Sequence, residues 1–381
     1  MQPLDFSDDR AGRLVPHERG YWAFVPFPLP PEIQLTWSLV NEISAADRGL
    51  SELAGIGRAL PNPYLLIRPF VSREAVLSSR IEGTQASLSD LYFFQAADQT
   101  PSPTSDVKEV HNYVVALEYG LQRLATLPLC VRLLKEMHAK LMDGAAPHLT
   151  PGEFRRSQNW IGPPGCLLND ATFVPPPPED LGNCLDELEK YWHAPSSLPA
   201  VVRLALIHYQ FEAIHPFLDG NGRIGRLLLT LLLCTENYLP QPLLYLSAYF
   251  ERHRQEYYRL LLAVSQRGAW ESWVSFFLRG VTEQSSDAVR RSQKLLGLWQ
   301  SYRDQFQTAR SSALLLRLID LLFERPYLSI TRVAKELDVT FRTASLNVGK
   351  LVTAGILEEL PDRRYARLFR AKAILDALEA P

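Results

Sequence analysis

Cysteine is scarce in this chain. Only Cys130, Cys166, Cys184 and Cys234 occur, scattered without the close pairing of a zinc knuckle, so neither a disulfide framework nor a cysteine-ligated metal is expected. The first residues lack the basic and apolar segments of a secretory leader, and reduced thiols in a cytoplasmic setting are the expectation. No apolar run approaches the ~20 residues that span a bilayer. The strongest, 227–234, is interrupted only by Thr230 and predicts a helix at the centre of a bundle, not a membrane contact. Charge of one sign is missing too: 40 Lys and Arg against 42 Asp and Glu leave a formal −2, with no global pull toward nucleic acid or an anionic surface. His208 and His215 flank Glu212, but the spacing is not His-Glu-x-x-His, which excludes the usual zinc-protease signature. No internal repeat is evident.

What is present is a chain of 381 residues, 46% hydrophobic and 22% charged, long enough for two or three domains with a sizeable core. Helical spacing dominates. Helices are expected over 31–49, 72–94, 107–125, 131–142, 200–214, 223–237, 251–265 and 269–291, with turn-rich breaks at 99–105 and 193–199. The exception lies between 152 and 180. There Ser157–Gly162 and Thr172–Pro175 enclose Pro163-Pro164-Gly165, which reads either as a hairpin-like flap or as a proline-rich surface loop.

The most informative stretch runs His215-Pro216-Phe217-Leu218-Asp219-Gly220-Asn221-Gly222-Arg223-Ile224-Gly225-Arg226. His215 has a side chain whose ordinary pKa, roughly 6.5, suits a general base near neutrality, and the proline after it keeps its backbone out of helix. Phe217 is an apolar anchor in a polar loop. Asp219 is a hard oxygen ligand, and magnesium on nucleotide phosphates commonly takes only one or two protein carboxylates. Gly220 and Gly222 let backbone N–H groups approach an anion at the start of a helix, and Arg223 and Arg226, three apart, can each fork phosphate oxygens. A phosphate chain is what these residues suit together.

The string resembles the Fic family signature, His-Pro-Phe-x-x-Gly-Asn-Gly-Arg-x-x-Arg, at every fixed position. The resemblance implies a mainly α fold, a Fic-type helical bundle with a small β-hairpin flap. It also implies a protein adenylyltransferase that moves AMP from ATP to a Tyr, Ser or Thr hydroxyl of a target protein, with self-modification as a further outcome. By position, His215 matches the family's base, Asp219 its Mg²⁺ ligand, Gly220, Asn221 and Gly222 its anion hole, and Arg223 and Arg226 the arginines that orient the nucleotide. A phosphotransferase branch has Lys where Gly222 stands, so adenylyl transfer is the expectation here. The flap would pair with the target's backbone, and Ile161 and Val174 are the chosen contacts. Of the adjacent Tyr257 and Tyr258, ordinarily core residues, Tyr258 would lie by the adenosine. A homodimer, with no membrane contact, is expected from relatives.

Upstream, Ser78-Ser79-Arg80-Ile81-Glu82-Gly83 resembles the family's inhibitory helix, Ser/Thr-x-x-x-Glu-Gly/Asn. Ser78, Glu82 and Gly83 are its matching positions, and the implied pairing is Glu82 with Arg226. The same carboxylate could instead activate water and remove AMP from a modified target, an activity seen in some relatives.

From Leu314 onward the pattern changes. A helix over 314–323, a short helix 330–337, a turn at Val339-Thr340, a helix over 341–354 and a hairpin from 356–360 and 364–369 follow the order of a winged helix-turn-helix. Arg342, Thr343, Ser345 and Asn347 would then read bases, with Arg363, Arg364 and Arg367 in the wing. From 310 to 381 there are 12 Lys and Arg against 9 Asp and Glu, a mild net of +3 that leaves DNA or protein as its partner. A regulator acting through this module is the competing functional class. The expected division is 1–105 N-terminal helical region with the inhibitory helix, 106–282 Fic core, 283–309 linker helix and 310–381 winged helix.

Overall fold

The computed structural model describes residues 1–7, 10–60, 62–96, 104–236, 238–307, 313–361 and 367–379. After a short 3-10 helix at Pro3–Asp5 come strands β1 (Gly12–Pro16) and β2 (Trp22–Pro26). Helices α1 (Trp37–Ala59), α2 (Tyr64–Ile81), α3 (Leu88–Ala96), α4 (Ser105–Arg123), α5 (Val131–Leu141), α6 (Leu181–His193), α7 (Ala200–Ile214), α8 (Asn221–Thr235), α9 (Ser247–Arg252), α10 (Arg254–Arg267), α11 (Trp270–Phe306) and α12 (Ala313–Glu324) follow. The chain ends with β3 (Tyr327–Ser329), α13 (Ile330–Leu337), α14 (Phe341–Thr353), β4 (Glu358–Glu359), β5 (Leu368–Arg370) and α15 (Lys372–Glu379). These elements fall into two compact units. One comprises 1–51, 115–238 and 246–285; the other comprises 52–114, 239–245 and 286–381.

In the first unit α7 is the axis. Every residue but Ala200 and Glu212 is buried, because its sequence is apolar nearly all round. It packs on α6, α8, α10 and β2. Polar groups inside are satisfied locally: Trp273 Nε1 donates to the Ala205 carbonyl at 2.8 Å, Tyr209 shares a 2.8 Å bond with Ser265, and Arg203 donates to the carbonyls of Tyr191, Trp192 and Ala194 at the end of α6. In α8, residues 223–233 are all buried, as the apolar run predicts. The β1–β2 hairpin is antiparallel in the register Gly12↔Pro26 to Pro16↔Trp22. Its prolines sit at strand ends, where a missing N–H costs little.

In the second unit α2 packs on α12, α3 and α15. The helix expected over 72–94 is two helices: α2 ends at Ile81, Gly83 takes φ 107°, and α3 restarts after a reciprocal cap in which Ser87 N–H donates to Asp90 and Asp90 N–H to Ser87 Oγ. The strand order is β3-β5-β4, both pairs antiparallel, with α13 on α14. Ser329 and Thr340 cap α13 and α14 by accepting the N–H of Arg332 and Thr343. Asn347 is buried and donates to the Thr343 carbonyl at 2.9 Å, so its amide nitrogen is engaged within α14. Arg367 forks Glu359 with two 2.7 Å bonds and Arg370 pairs with Glu358, which neutralises both across the hairpin. Arg363 and Arg364 lie outside the described residues.

Boundaries moved where prolines or glycines intervene. α1 starts at Trp37 instead of residue 31 because Pro28, Pro30 and Pro31 hold the entry extended. α11 runs unbroken through the position where a core was expected to give way to a linker helix.

Two histidines of the first unit are buried and neutral. Burial, with a smaller contribution from the Arg226 charge, pushes the His208 pKa down to about 3, and burial pushes His138 down to about 4. Both folded values lie below the unfolded one, so between ~6.5 and ~4 the unfolded chain binds more protons and stability falls as pH falls, by about 1.4 kcal/mol per pH unit for each histidine. Urea unfolding across that range should show this slope, and His208→Gln should flatten it by about half; an unchanged slope contradicts the assignment.

Candidate active site

The loop between α7 and α8 begins where Pro216 forbids another helical residue. His215 closes α7 in the left-handed region, φ 50° and ψ 61°, its N–H on the Phe211 carbonyl. A histidine there is strained, as residues at functional sites often are. Its Nδ1 lies 3.3 Å from the Glu212 carbonyl. A carbonyl only accepts, so Nδ1 carries the proton and Nε2 keeps the lone pair of a base.

The loop is shaped by its own side chains. Phe217 is fully buried, as an anchor should be. Asn221, also buried, accepts the Phe217 N–H and donates to the Phe217 carbonyl, both at 2.8 Å. The sequence reading assigned Asn221 to the anion hole; its carbonyl and one N–H are instead spent closing the loop. Gly220 adopts φ 77° and caps α8, and a Cβ there would also meet Met142 Sδ at 3.2 Å. The first N–H groups of α8, including that of Gly222, have no acceptor within the helix and face outward from its positive end.

Arg223 and Arg226 follow one turn in and are both buried. Arg223 Nη2 lies 3.7 Å from Asp219 Oδ1 and 4.0 Å from Met142 Sδ. Two cations here oppose the helix dipole, an arrangement suited to an anion. Asp219 is half exposed, and its Oδ1 accepts the Gly220 N–H at 2.6 Å. No cluster of three or more metal-ligating side chains occurs among the described residues. One exposed carboxylate fits magnesium whose remaining ligands are phosphate and water.

Three residues that sequence reasoning did not select hold this loop from outside. His138 bridges the Gly152 N–H (2.8 Å) and the Asp219 carbonyl (3.0 Å) and stacks on Phe217 at 3.8 Å. Arg155 donates to the carbonyls of His215 (2.9 Å) and Pro176 (2.6 Å), and its own N–H reaches the Pro216 carbonyl at 3.0 Å. Burial lowers its pKa to about 10, which leaves it charged. Asn159 Nδ2 donates to the Phe217 carbonyl at 2.8 Å. No local pattern marks these residues, because their partners are remote in sequence.

The 152–180 segment does form a flap. Ile161 and Phe173 pair across it through backbone bonds of 2.8 and 3.0 Å. Ile161 is 40% exposed, but Val174 is buried against Tyr21, Ala23 and Ala171, and its carbonyl accepts the Phe24 N–H. Val174 is therefore not an open edge: the unforeseen N-terminal hairpin occupies that side. Tyr257 points inward with its hydroxyl 2.8 Å from His208 Nε2, whereas Tyr258 is 42% exposed under the Arg254 guanidinium. Ser78 is buried within α2, and Glu82 is the exposed cap of that helix, in the other compact unit.

Comparison with known proteins supplies the context. Residues 40–122 match the profile "Fic/DOC family N-terminal" and residues 128–233 the profile "Fic/DOC family". Among curated proteins, the Protein adenylyltransferase Fic of Drosophila erecta is 28% identical over 184 residues, covering 46% of this chain and 34% of the relative. That of Drosophila willistoni is 29% identical, covering 46% and 33%. The chain thus spans about a third of the length of these relatives. A Fic family protein from Desulfovibrio desulfuricans G20 superposes with a TM-score of 0.56 at 20% identity, covering 90% of this chain and 98% of that one. Fic-1 from C. elegans does so with 0.50 at 21% identity, covering 69% and 74%. The structural likenesses speak to the fold.

Proposed function

This chain carries the Fic/DOC N-terminal region and a Fic domain, and from that premise we propose that it is a protein adenylyltransferase, transferring AMP from ATP to a Tyr, Ser or Thr hydroxyl of a target protein. The observation that carries this reading is one loop with a base at its start and an anion cradle at its end: His215 with its proton on Nδ1 and the lone pair on Nε2, then left-handed Gly220 opening α8 with Arg223 and Arg226 in its first turns.

The steps follow from these groups. His215 Nε2 takes the proton of the target hydroxyl as the oxygen attacks the α-phosphorus of ATP. The new oxygen–phosphorus bond forms as the bond to the bridging α–β oxygen breaks, and pyrophosphate leaves with that oxygen. The N–H groups of the first turn of α8 stabilise the negative charge that develops on the phosphate oxygens, and the arginines fork the β- and γ-phosphates. Asp219 would hold Mg²⁺, which when bound neutralises phosphate charge. The flap would align the target by backbone pairing along its Ile161 side. Glu82 is proposed to restrain the reaction through Arg226.

A DNA-binding role for the C-terminal unit draws less support. Asn347 is buried, and Arg367 and Arg370 are neutralised by glutamates.

The test is peptide mass spectrometry after incubation with Mg-ATP and a cell lysate. AMP adducts on Tyr, Ser or Thr are expected. Phosphate adducts in their place would point to γ-phosphoryl transfer and overturn the proposal.

A further inference from the structure

Gly220 opens α8 at φ 77°, with its carbonyl on the Ile224 N–H and its own N–H on Asp219 Oδ1. With no Cβ, a glycine permits its preceding peptide plane to flip at little cost, so the direction of its N–H needs an outside restraint. The plane in question is the 219–220 peptide, whose carbonyl and N–H point in opposite directions because the bond is trans and planar. Whatever holds the Asp219 carbonyl therefore aims the Gly220 amide.

His138 on α5 holds that carbonyl. The Gly152 N–H donates to Nδ1 at 2.8 Å, so this nitrogen is the acceptor and the ring proton must sit on Nε2. Nε2–H then donates to the Asp219 carbonyl at 3.0 Å. The ring lies face to face with Phe217 at 3.8 Å and 9°, with no exposure to solvent, so it has no freedom to swing away. On the far side of the peptide, the Gly220 N–H donates to the Asp219 carboxylate, at 2.6 Å from Oδ1.

We propose that His138 is a positioning residue for the transfer reaction: by holding the Asp219 carbonyl through Nε2–H, it fixes the 219–220 peptide so that the Gly220 N–H holds the Asp219 carboxylate in place at the mouth of the cradle. The inference rests on the adenylyl-transfer reading for its kinetic consequence, but its structural consequence is independent of it.

His138→Ala, His138→Gln and His138→Asn, each in the Glu82→Gly background, separate the contacts. Gln reaches the place of Nε2 and retains a donor to Asp219; Asn reaches only the place of Nδ1 and retains the acceptor for Gly152. The expected result is that Ala and Asn lower kcat by about 10- to 100-fold, as misplacement of a reactive constellation does, with a smaller change in KM for ATP, while Gln recovers most of kcat. Hydrogen exchange over 216–222 gives a second readout: protection falls in Ala and Asn and returns in Gln. If all three variants fold, lose melting temperature equally and keep kcat, or if Asn recovers as well as Gln, His138 only fills space and the proposal is overturned. If the parent transfers no AMP, the functional reading fails by itself, and the exchange pattern alone decides whether His138 sets the loop.

Discussion

Replacing Glu82 with glycine is expected to raise AMP transfer at least ~tenfold over the parent. Two opposite unit charges ~4 Å apart at an effective dielectric near 20 attract by about 4 kcal/mol before desolvation is subtracted, and a surviving 1.4 kcal/mol is tenfold. An arginine engaged by a carboxylate is unavailable to a γ-phosphate. The substitution suits the local backbone: Glu82 caps α2 at φ −83° and ψ −3°, which glycine adopts readily, and Gly83 already supplies the left-handed turn. A gain in activity at an unchanged melting temperature is therefore the expected pair of results. Equal labelling of the variant and parent by α-labelled ATP would remove the restraint from this account. Glu82→Gln, which keeps the shape and drops the charge, should behave like the glycine variant.

His215→Ala is expected to abolish detectable transfer in the same background. A positioned general base contributes ~10²–10⁴ in rate. Nucleotide affinity should change little, because the phosphates would be held by the first turn of α8 and the two arginines, none of which is altered. The substitution does not relieve or worsen the left-handed backbone at 215 in any large degree, since alanine and histidine both carry a Cβ there. Turnover by His215→Ala at the parent rate, with folding and ATP binding intact, would show that the proton goes elsewhere.

Helices with sustained apolar spacing were legible in the sequence: α7 coincides with the expected 200–214, α13 with 330–337, and α8 is the buried rod that its leucines predict. So was the adjacency of His215, Asp219, Gly220, Arg223 and Arg226, since one short loop and the first turns of the helix it opens carry them all. What was hidden depends on partners far away in the chain. Nothing near Val174 signals that Phe24 will take its carbonyl, and the β1–β2 hairpin that does so is short and bounded by prolines. His138 reads as an ordinary buried histidine because Asp219, 81 residues on, is invisible at that point. Arg155 is likewise mute until the fold brings Pro176 and His215 to it. Asn221 teaches a different lesson: its type and place are those of the motif, yet its carboxamide serves the loop itself. Composition and spacing identify groups able to meet a phosphate; only the packed structure shows which of them are occupied in building the site.

The claim at the centre is that this loop directs an alcohol onto the innermost phosphorus of ATP. The direct measurement follows Glu82→Gly protein incubated with magnesium and ATP labelled either in the α- or in the γ-phosphate, together with the pyrophosphate released. The account predicts α-label fixed to protein, no γ-label, and one pyrophosphate for each AMP attached. Protein-bound γ-label, or α-label fixed without release of pyrophosphate, would contradict it.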